Sequence, residues 1–518
     1  MIICGRSREN AVAFARTLGA PARVSVAHLD RTRATAAGVA ALDAFCIVDA
    51  AGPFQASPYT LVKAAIDAGV HYVDLADARD FVAGFGALDE AAKARSVLAV
   101  TGASSTPALS QAVLDELCRD WKRVDSVEIA IVPGGKAAVG LSVIRAILSY
   151  AGRRVNVWRY GRWEGAPGWG LLKRIAIDGL GKRFASLVET PDLDIVRMRY
   201  PSVRHALFRG GIELSVLHLG LTLLTLPVRV GALTSLETAS ELLHAVAGWF
   251  RRFGSDKGGM VVEATGVDAA GEHTRARWTL IAEAGDGPNI PTLPALALLR
   301  ALGAGRIAVR GATVCAGVLD LQAIAAEFSR FEIRTNVMRE ARVAAPLFQR
   351  VLPDFAAMPA AVRAAHAPEP ARELLGEVDI DGAQNPFGHI VAWFAGFPTA
   401  GSHVRASVTI ERDGNGEVWV RRFGRATFES HLTEVGPGKL AERFGPLTFD
   451  LDAKADTYGF TLGIKGARLG ELPLPGFLTP STQASAHADE HGRYRFDVMV
   501  SLPVIGRLVR YRGWLTPS

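Results

Sequence analysis

Cysteine is scarce: four in 518 residues, Cys4, Cys46, Cys118 and Cys315, with no C-x-x-C pair and no histidine at metal-ligand spacing. That pattern excludes a disulfide framework and predicts no metal site, with small buried thiols in a reducing cytoplasm. Long apolar runs are also missing. The most membrane-like stretch, Ser215 to Leu226, is interrupted by His218 and closed by Pro227, short of the roughly 20 residues that a spanning helix needs. Met1-Ile2-Ile3-Cys4 has no basic residue ahead of it, so no signal peptide is expected. Nor is there a basic stripe. The net charge of +6 is spread over the chain, and the pairs Arg153-Arg154, Arg251-Arg252 and Arg421-Arg422 fall in separate segments. A nucleic-acid partner is therefore not expected.

What remains is a globular composition, 49% hydrophobic and 21% charged, with 53 Gly and 26 Pro. The length fits three domains. Cys46 to Ala51 is an apolar run stopped by Gly52-Pro53, which reads as a buried parallel strand. Tyr59 to Ala68 carries Leu61, Val62, Ala65 and Ile66 at helical spacing, and Gly69 ends it. His71 to Leu75 reads as a strand, Phe81 to Ala94 as a helix, Val97 to Val100 as a strand, and Ala108 to Leu117 as a helix with Pro107 at its start. Strand–helix alternation with short linkers predicts a doubly wound parallel sheet.

Ligands of such sheets bind beyond the carboxyl ends of the strands. Here those ends are Gly5-Arg6-Ser7, Ala51-Gly52-Pro53-Phe54, Asp74-Leu75-Ala76-Asp77 and Thr101-Gly102-Ala103-Ser104-Ser105. Their small residues would let a cofactor approach the backbone, although each is also an ordinary tight turn. Asp74 and Tyr72 are the candidate catalytic groups, with His71 and Asp77 nearby. A packing tyrosine and a capping aspartate would look the same in sequence. Ser104 and Ser105 read as turn caps or nicotinamide lining, since no Ser-His-Asp set is recognisable.

These strand ends, with Gly69-Val70-His71-Tyr72-Val73-Asp74-Leu75, Trp278-Thr279-Leu280-Ile281-Ala282, Gly287-Pro288, Ile290-Pro291, Gly311-Ala312 and Cys315-Ala316-Gly317, resemble the saccharopine-dehydrogenase-like oxidoreductases to about residue 335. The resemblance implies a Rossmann domain followed by a mixed α/β domain that supplies much of the substrate cleft. It implies cofactor contacts at Gly5, Arg6, Ser7, Ala51, Gly52, Pro53, Phe54, Thr101, Gly102 and Ala103. An Arg at the end of the second strand suits the 2′-phosphate of NADP, where an acidic residue would suit NAD. The family pattern would place a strand, a G-x-G-x-x-G turn and a helix, about 30 residues, before Met1. No later Gly pair replaces them. Gly179-Leu180-Gly181, Gly303-Ala304-Gly305 and Gly414-Asn415-Gly416 read as turns. Met1 to Cys4 and Cys46 to Asp49 are thus expected to flank a vacancy, as a start codon placed too far downstream would leave.

Beyond residue 125 strands are expected at Ser126 to Val132, Met260 to Thr265 and Arg275 to Ala282. Helices are expected at Leu141 to Tyr150, Ser235 to Phe250, Pro294 to Leu302 and Leu319 to Phe328. Trp158 to Leu226 mixes Arg, Trp and Leu. It reads as a loop-rich cover of the cleft, with a membrane-surface patch as the alternative. A helical stretch, Arg339 to Val351 and then Pro359 to His366, precedes alternating strands at Val404 to Ile410, Glu417 to Arg421, Leu447 to Leu451, Tyr458 to Ile464, Arg493 to Val500 and Leu508 to Trp514. They predict a β-rich sandwich or barrel. Trp419-Val420-Arg421-Arg422-Phe423, Leu472-Pro473-Leu474-Pro475 and Tyr511-Arg512-Gly513-Trp514-Leu515 resemble an uncharacterised bacterial module found after saccharopine-dehydrogenase-like domains. The expected domains are 1–124 (truncated Rossmann-like), 125–335 (mixed α/β) and 340–518 (β-rich). The expected function is an NADP-dependent oxidoreductase acting on a small molecule, with a homodimer left open. The alternative is a cofactor-dead scaffold whose β-rich tail binds an apolar ligand, against a tail with a filled, purely structural core.

Overall fold

Short apolar runs bounded by Gly or Pro set the strands of the amino-terminal third. The computed structural model describes residues 1–18, 23–137, 140–341, 345–367, 371–394, 396–413 and 415–517. It falls into two units, Met1–Glu340 and Ala341–Ser518. The first opens with β1 (Ile2–Gly5), α1 (Arg8–Thr17), β2 (Ser25–His28), α2 (Ala36–Ala40), β3 (Cys46–Asp49) and α3 (Thr60–Asp67). It continues with β4 (His71–Asp74), α4 (Arg79–Gly84), α5 (Asp89–Ala94), β5 (Leu98–Thr101) and α6 (Ser110–Leu117). Gly69, at φ +73°, ends α3 as its position suggested. The single helix expected over Phe81 to Ala94 is instead two helices joined by a 3-10 turn at Phe85–Leu88. Gly84 and Gly86 weaken the helix there, and the Tyr59 hydroxyl donates to the Phe81 carbonyl. Phe81, Phe85, Leu88 and Ala92 are all buried, so the apolar stripe survives the break.

The chain then forms β6 (Arg123–Val132), α7 (Leu141–Tyr150), β7 (Arg154–Arg159), β8 (Arg162–Pro167), β9 (Lys173–Ile177), β10 (Gly181–Leu187), α8 (Asp192–Arg199) and β11 (His205–Gly211). Next come α9 (Ser215–Leu224), α10 (Leu226–Arg229), α11 (Ser240–Phe250), β12 (Gly258–Val267) and β13 (His273–Ala282). The unit closes with α12 (Leu293–Gly303), β14 (Gly311–Val314), α13 (Leu321–Ala325) and β15 (Ile333–Ala341). The loop-rich cover expected over Trp158 to Leu226 is therefore corrected. It is mostly regular structure, strands β7 to β11 together with α8 and α9, and its short strands carry Arg and Lys on exposed positions that blur the period-two pattern. Arg339 likewise belongs to β15 and not to a helix, while 342–344 lie outside the described residues. A nine-stranded sheet results, in the order β15-β13-β12-β6-β11-β10-β9, with β7 on β11 and β8 on β7. Its Val127, Ile129, Met260, Val262 and Leu280 share one core with Leu98 and Val100 of β5 and Leu114 of α6.

The parallel layer is in two pieces. β14, β5, β4 and β3 form one sheet, and β1 and β2 form another. Among the described residues β1 pairs only with β2, from Ile2↔Ser25 to Gly5↔His28, and β3 only with β4, from Cys46↔His71 to Asp49↔Asp74. The break falls between the two strands expected to flank a vacancy. Apolar side chains nearby stay uncovered: Val48 of β3 is 42% exposed and Phe14 of α1 54%. A strand in the middle of a doubly wound sheet is ordinarily buried on both faces.

The second unit holds α14 (Leu347–Val351), α15 (Ala360–Ala365), β16 (Ala371–Asp381), α16 (Pro386–Phe394), β17 (Gly401–Asp413), β18 (Gly416–Phe423), β19 (Ala426–Gly436), β20 (Lys439–Phe444) and β21 (Leu447–Ala455). It ends with β22 (Gly459–Leu469), β23 (Leu472–Pro473), β24 (Ser481–Ala488), β25 (Tyr494–Leu502) and β26 (Gly506–Pro517). The turn read at 413–416 joins β17 and β18, with Gly414 outside the described residues. Ten antiparallel strands close into a barrel, since β21 pairs with β22 as well as with β20. Closure leaves these strands no free edge. Phe348 of α14 packs 5.0 Å from Phe460 and 5.8 Å from Trp419, and His366 lies 4.3 Å from Phe348. The barrel core is thus filled by its own side chains.

Candidate functional site

The carboxyl end of β4 organises the strand-end turns. Asp74 is fully buried, and its Oδ1 accepts from Ala76 N at 3.0 Å, Thr101 Oγ1 at 2.8 Å and Gly102 N at 2.8 Å. Its carbonyl accepts from Ala103 N at 2.8 Å, and Thr101 O accepts from Cys315 N at 2.8 Å. One aspartate thereby fastens the ends of β4, β5 and, through Thr101, β14. Oδ2 has no partner among the described residues. Burial pushes the carboxyl up to about 6 even though its hydrogen bonds pull the other way. Gly102 stands at φ +73°, and a Cβ there would sit 2.5 Å from Pro107 Cδ. Gly102→Ala is expected to cost about 2 kcal/mol or more, read as a drop in thermal unfolding of residues 1–340. An unchanged midpoint would show that the turn relaxes freely.

Tyr72 is as buried as Asp74, and its hydroxyl donates to Asp49 Oδ2 at 3.3 Å. Burial and the two carboxylates raise the phenol well above its ordinary value. Asp49 Oδ2 also meets Arg31 Nη2 at 3.0 Å, and Ala51 N donates to Oδ1 at 3.0 Å. Arg31 donates to the Ala51 carbonyl and lies 4.6 Å over the Phe54 ring. This arginine follows β2 in sequence and reaches the end of β3, so it ties the two pieces of the parallel layer. Nothing in the sequence singled it out, because its acidic partner becomes a neighbour only through the sheet order. Ser7 is a helix cap: its Oγ accepts from Asn10 N at 3.2 Å. Arg6 is exposed beyond β1, near Asp30, whose carboxyl is lowered mainly by hydrogen bonds from Thr32 and less by the charge of Arg6. A Cβ on Gly5 or Gly52 would make only an ordinary van der Waals contact, at 3.9 Å to Ser7 O and 4.0 Å to a Phe54 ring carbon, so neither position is crowded.

Across from these turns the mixed sheet supplies a second wall. Arg79 grips Asp194 with two bonds, Nε to Oδ2 at 2.6 Å and Nη2 to Oδ1 at 2.8 Å, and donates to Asn156 O at 2.7 Å. Its guanidinium lies 4.8 Å over Trp163 and 3.8 Å from Glu189. Tyr150, at the end of α7, is raised by burial and by the nearby carboxylates of Asp77 and Glu189. Asp192 is buried against Ser110 and against Gln111 Nε2 at 3.1 Å. His71 is structural: its Nδ1 accepts from Leu98 N at 2.8 Å. Ser104 and Ser105 are buried in the turn after β5. In a serine–histidine pair, Ser186 and His218 at 2.9 Å, His218 Nδ1 accepts from Ile212 N. The ring proton therefore sits on Nε2 and points at Ser186, which leaves no base for that hydroxyl.

The strand ends fit a dinucleotide in part. Arg6 offers a cation for a 2′-phosphate, and Gly5 and Gly52 offer close backbone approach. The amides of Gly102, Ala103 and Ser104 are already spent on Asp74 and on Gly102 O. No glycine-rich diphosphate turn lies among the described residues.

Residues 358–515 match a domain of unknown function, DUF4166. Comparison with the curated proteins finds no match. Among solved structures the chain is similar to apo saccharopine dehydrogenase (L-Glu forming) from Saccharomyces cerevisiae, with 12% identity and a TM-score of 0.44 over 65% of this chain and 94% of that one. It is also similar to GenD2 from gentamicin A biosynthesis in complex with NAD, with 14% identity and a TM-score of 0.23 over 51% and 61% of the two chains. At identities this low the functional argument rests on the residues described above.

Proposed function

We propose that residues 1–340 form an oxidoreductase of the saccharopine-dehydrogenase-like type that takes NADP at the ends of β1, β3, β4 and β5. Bound there, the nicotinamide would supply or accept a hydride. The observation that carries this reading is the convergence of those strand ends, with exposed Arg6 at one extremity and uncrowded glycines at Gly5 and Gly52. Asp74 and Tyr72, buried on other protein groups, would position the turns and not touch substrate. Asp77 and Tyr150, whose side-chain oxygens hydrogen-bond to no other side chain among the described residues, would face a small substrate.

Titrating the chain with NADPH and NADH, followed by nucleotide fluorescence, tests the reading. NADPH is expected to bind more tightly, and Arg6→Ala to weaken NADPH about 10- to 100-fold while leaving NADH nearly unchanged, as befits one charged hydrogen-bonding group. Saturation by neither nucleotide would favour the second reading, a cofactor-silent scaffold. The spent amides after β5 are the observation on its side.

A further inference from the structure

The helices of residues 215–253 are apolar and yet mostly exposed. From Leu214 to Leu236 the only charged side chain is Arg229. Ile147, Leu148, Leu221, Val228, Leu236 and Leu243 form the small core where α7, α9, α10 and α11 meet. The outward positions are just as apolar: Val216 is 62% exposed, Leu223 67%, Val230 78%, Leu242 67%, Trp249 58% and Phe253 56%. In α11 only Ser240 is buried. An exposed apolar surface of this extent marks a partner.

Its chemistry points to one kind. Two hydroxyls of α9 and its end are turned onto their own backbone, Thr222 Oγ1 to His218 O at 2.9 Å and Thr225 Oγ1 to Thr222 O at 2.7 Å. A protein partner would ordinarily find about one hydrogen bond per 100–200 Å². A bilayer requires none. Trp249 meets Phe250 and Phe253 edge to face, the two phenylalanine rings are tilted against each other, and Arg252 lies 4.5 Å over Trp249 and 4.7 Å over Phe253, with Arg251 beside it in sequence. Aromatic rings joined to arginines suit the headgroup level. The acids of α11 and the turn before it are Glu237 and Glu241, and Arg145 reaches Glu241 at 3.3 Å. Among the described residues no helix is long and apolar enough to cross a membrane. We propose that α9, α10 and α11 form an interfacial face that docks residues 1–340 on an anionic lipid bilayer. This docking is independent of the cofactor reading.

The test is flotation of the full chain with phosphatidylcholine vesicles, with and without phosphatidylglycerol. The chain is expected to float with the anionic vesicles. L223E combined with W249E should abolish this. R251E combined with R252E should weaken it roughly thirtyfold, about 1 kcal/mol for each arginine. Circular dichroism should show all variants folded, since every changed residue is exposed. Failure to float with either vesicle, or flotation that the substitutions leave unchanged, would overturn the proposal. So would a dimer seen by light scattering that L223E/W249E dissociates without any vesicle binding, because the face would then belong to a second copy of the chain.

Discussion

Asp74→Ala is expected to destabilise residues 1–340 by about 3–9 kcal/mol, because three buried donors lose their acceptor together at about 1–3 kcal/mol each. Asp74→Asn keeps an oxygen for those donors and separates hydrogen bonding from charge. The wild-type carboxyl rises from 3.8 to about 6 on folding. The folded chain therefore holds a proton that the unfolded chain has released, and stability falls as pH rises between those two values and levels off above them. The drop is about 3 kcal/mol. Chemical denaturation of both proteins should show the asparagine variant gaining on wild type by that amount between pH 4 and pH 7. Parallel pH profiles would mean that Asp74 is not buried as described.

In the second unit the corresponding group is Glu417. It is 1% exposed, accepting from Leu347 N at 3.2 Å and Trp419 Nε1 at 3.0 Å, and burial pushes it up to about 7. Its sign is that of Asp74, so stability is lost as pH rises from about 4.5 to 7, by about 3 kcal/mol. His366 works in the opposite direction. Burial lowers it to about 3, so the unfolded chain binds the extra proton and stability grows from about pH 3 to 6.5. The two largely cancel between pH 4.5 and 6.5. His431, raised to about 9 by its bonds to Asp413 and Glu429, adds stability that is complete below 6.5 and lost as pH passes 9. The barrel should therefore be most stable near pH 5–6. Hydrogen exchange in its strands is the measurement. Glu417→Gln should remove the Glu417 contribution alone, so that the difference from wild type shifts by about 3 kcal/mol between pH 4.5 and 7. A constant difference would contradict the assignment.

Strands fully covered by helices were readable because burial on both faces leaves an unbroken apolar run, as in Tyr72-Val73 and Leu98-Ala99-Val100. β18 was readable from the alternation of Glu417 to Arg421. β7 to β10 were not, since Arg154, Arg162, Lys173 and Lys182 occupy exposed positions of short strands. β19, β20 and β24 stayed hidden for a related reason: in a barrel wall half of each strand is solvated, and Thr, Ser, Glu and His fill it. The strand-end turns were legible as places, through Gly5, Gly52 and Gly102. Their chemistry was not. That Asp74 Oδ1 would be spent on backbone and Thr101, that Arg31 would reach Asp49, and that Tyr150 and Asp77 would hydrogen-bond to no other side chain among the described residues all depend on tertiary neighbours far apart in sequence.

The claim that strand ends of residues 1–340 take a nicotinamide dinucleotide is tested most directly by hydrogen exchange of the full chain with and without NADPH. The account predicts slowed exchange in peptides spanning 4–8, 48–56 and 73–78, with residues 371–517 unchanged. Protection confined to the barrel, or none anywhere at saturating nucleotide, would contradict it.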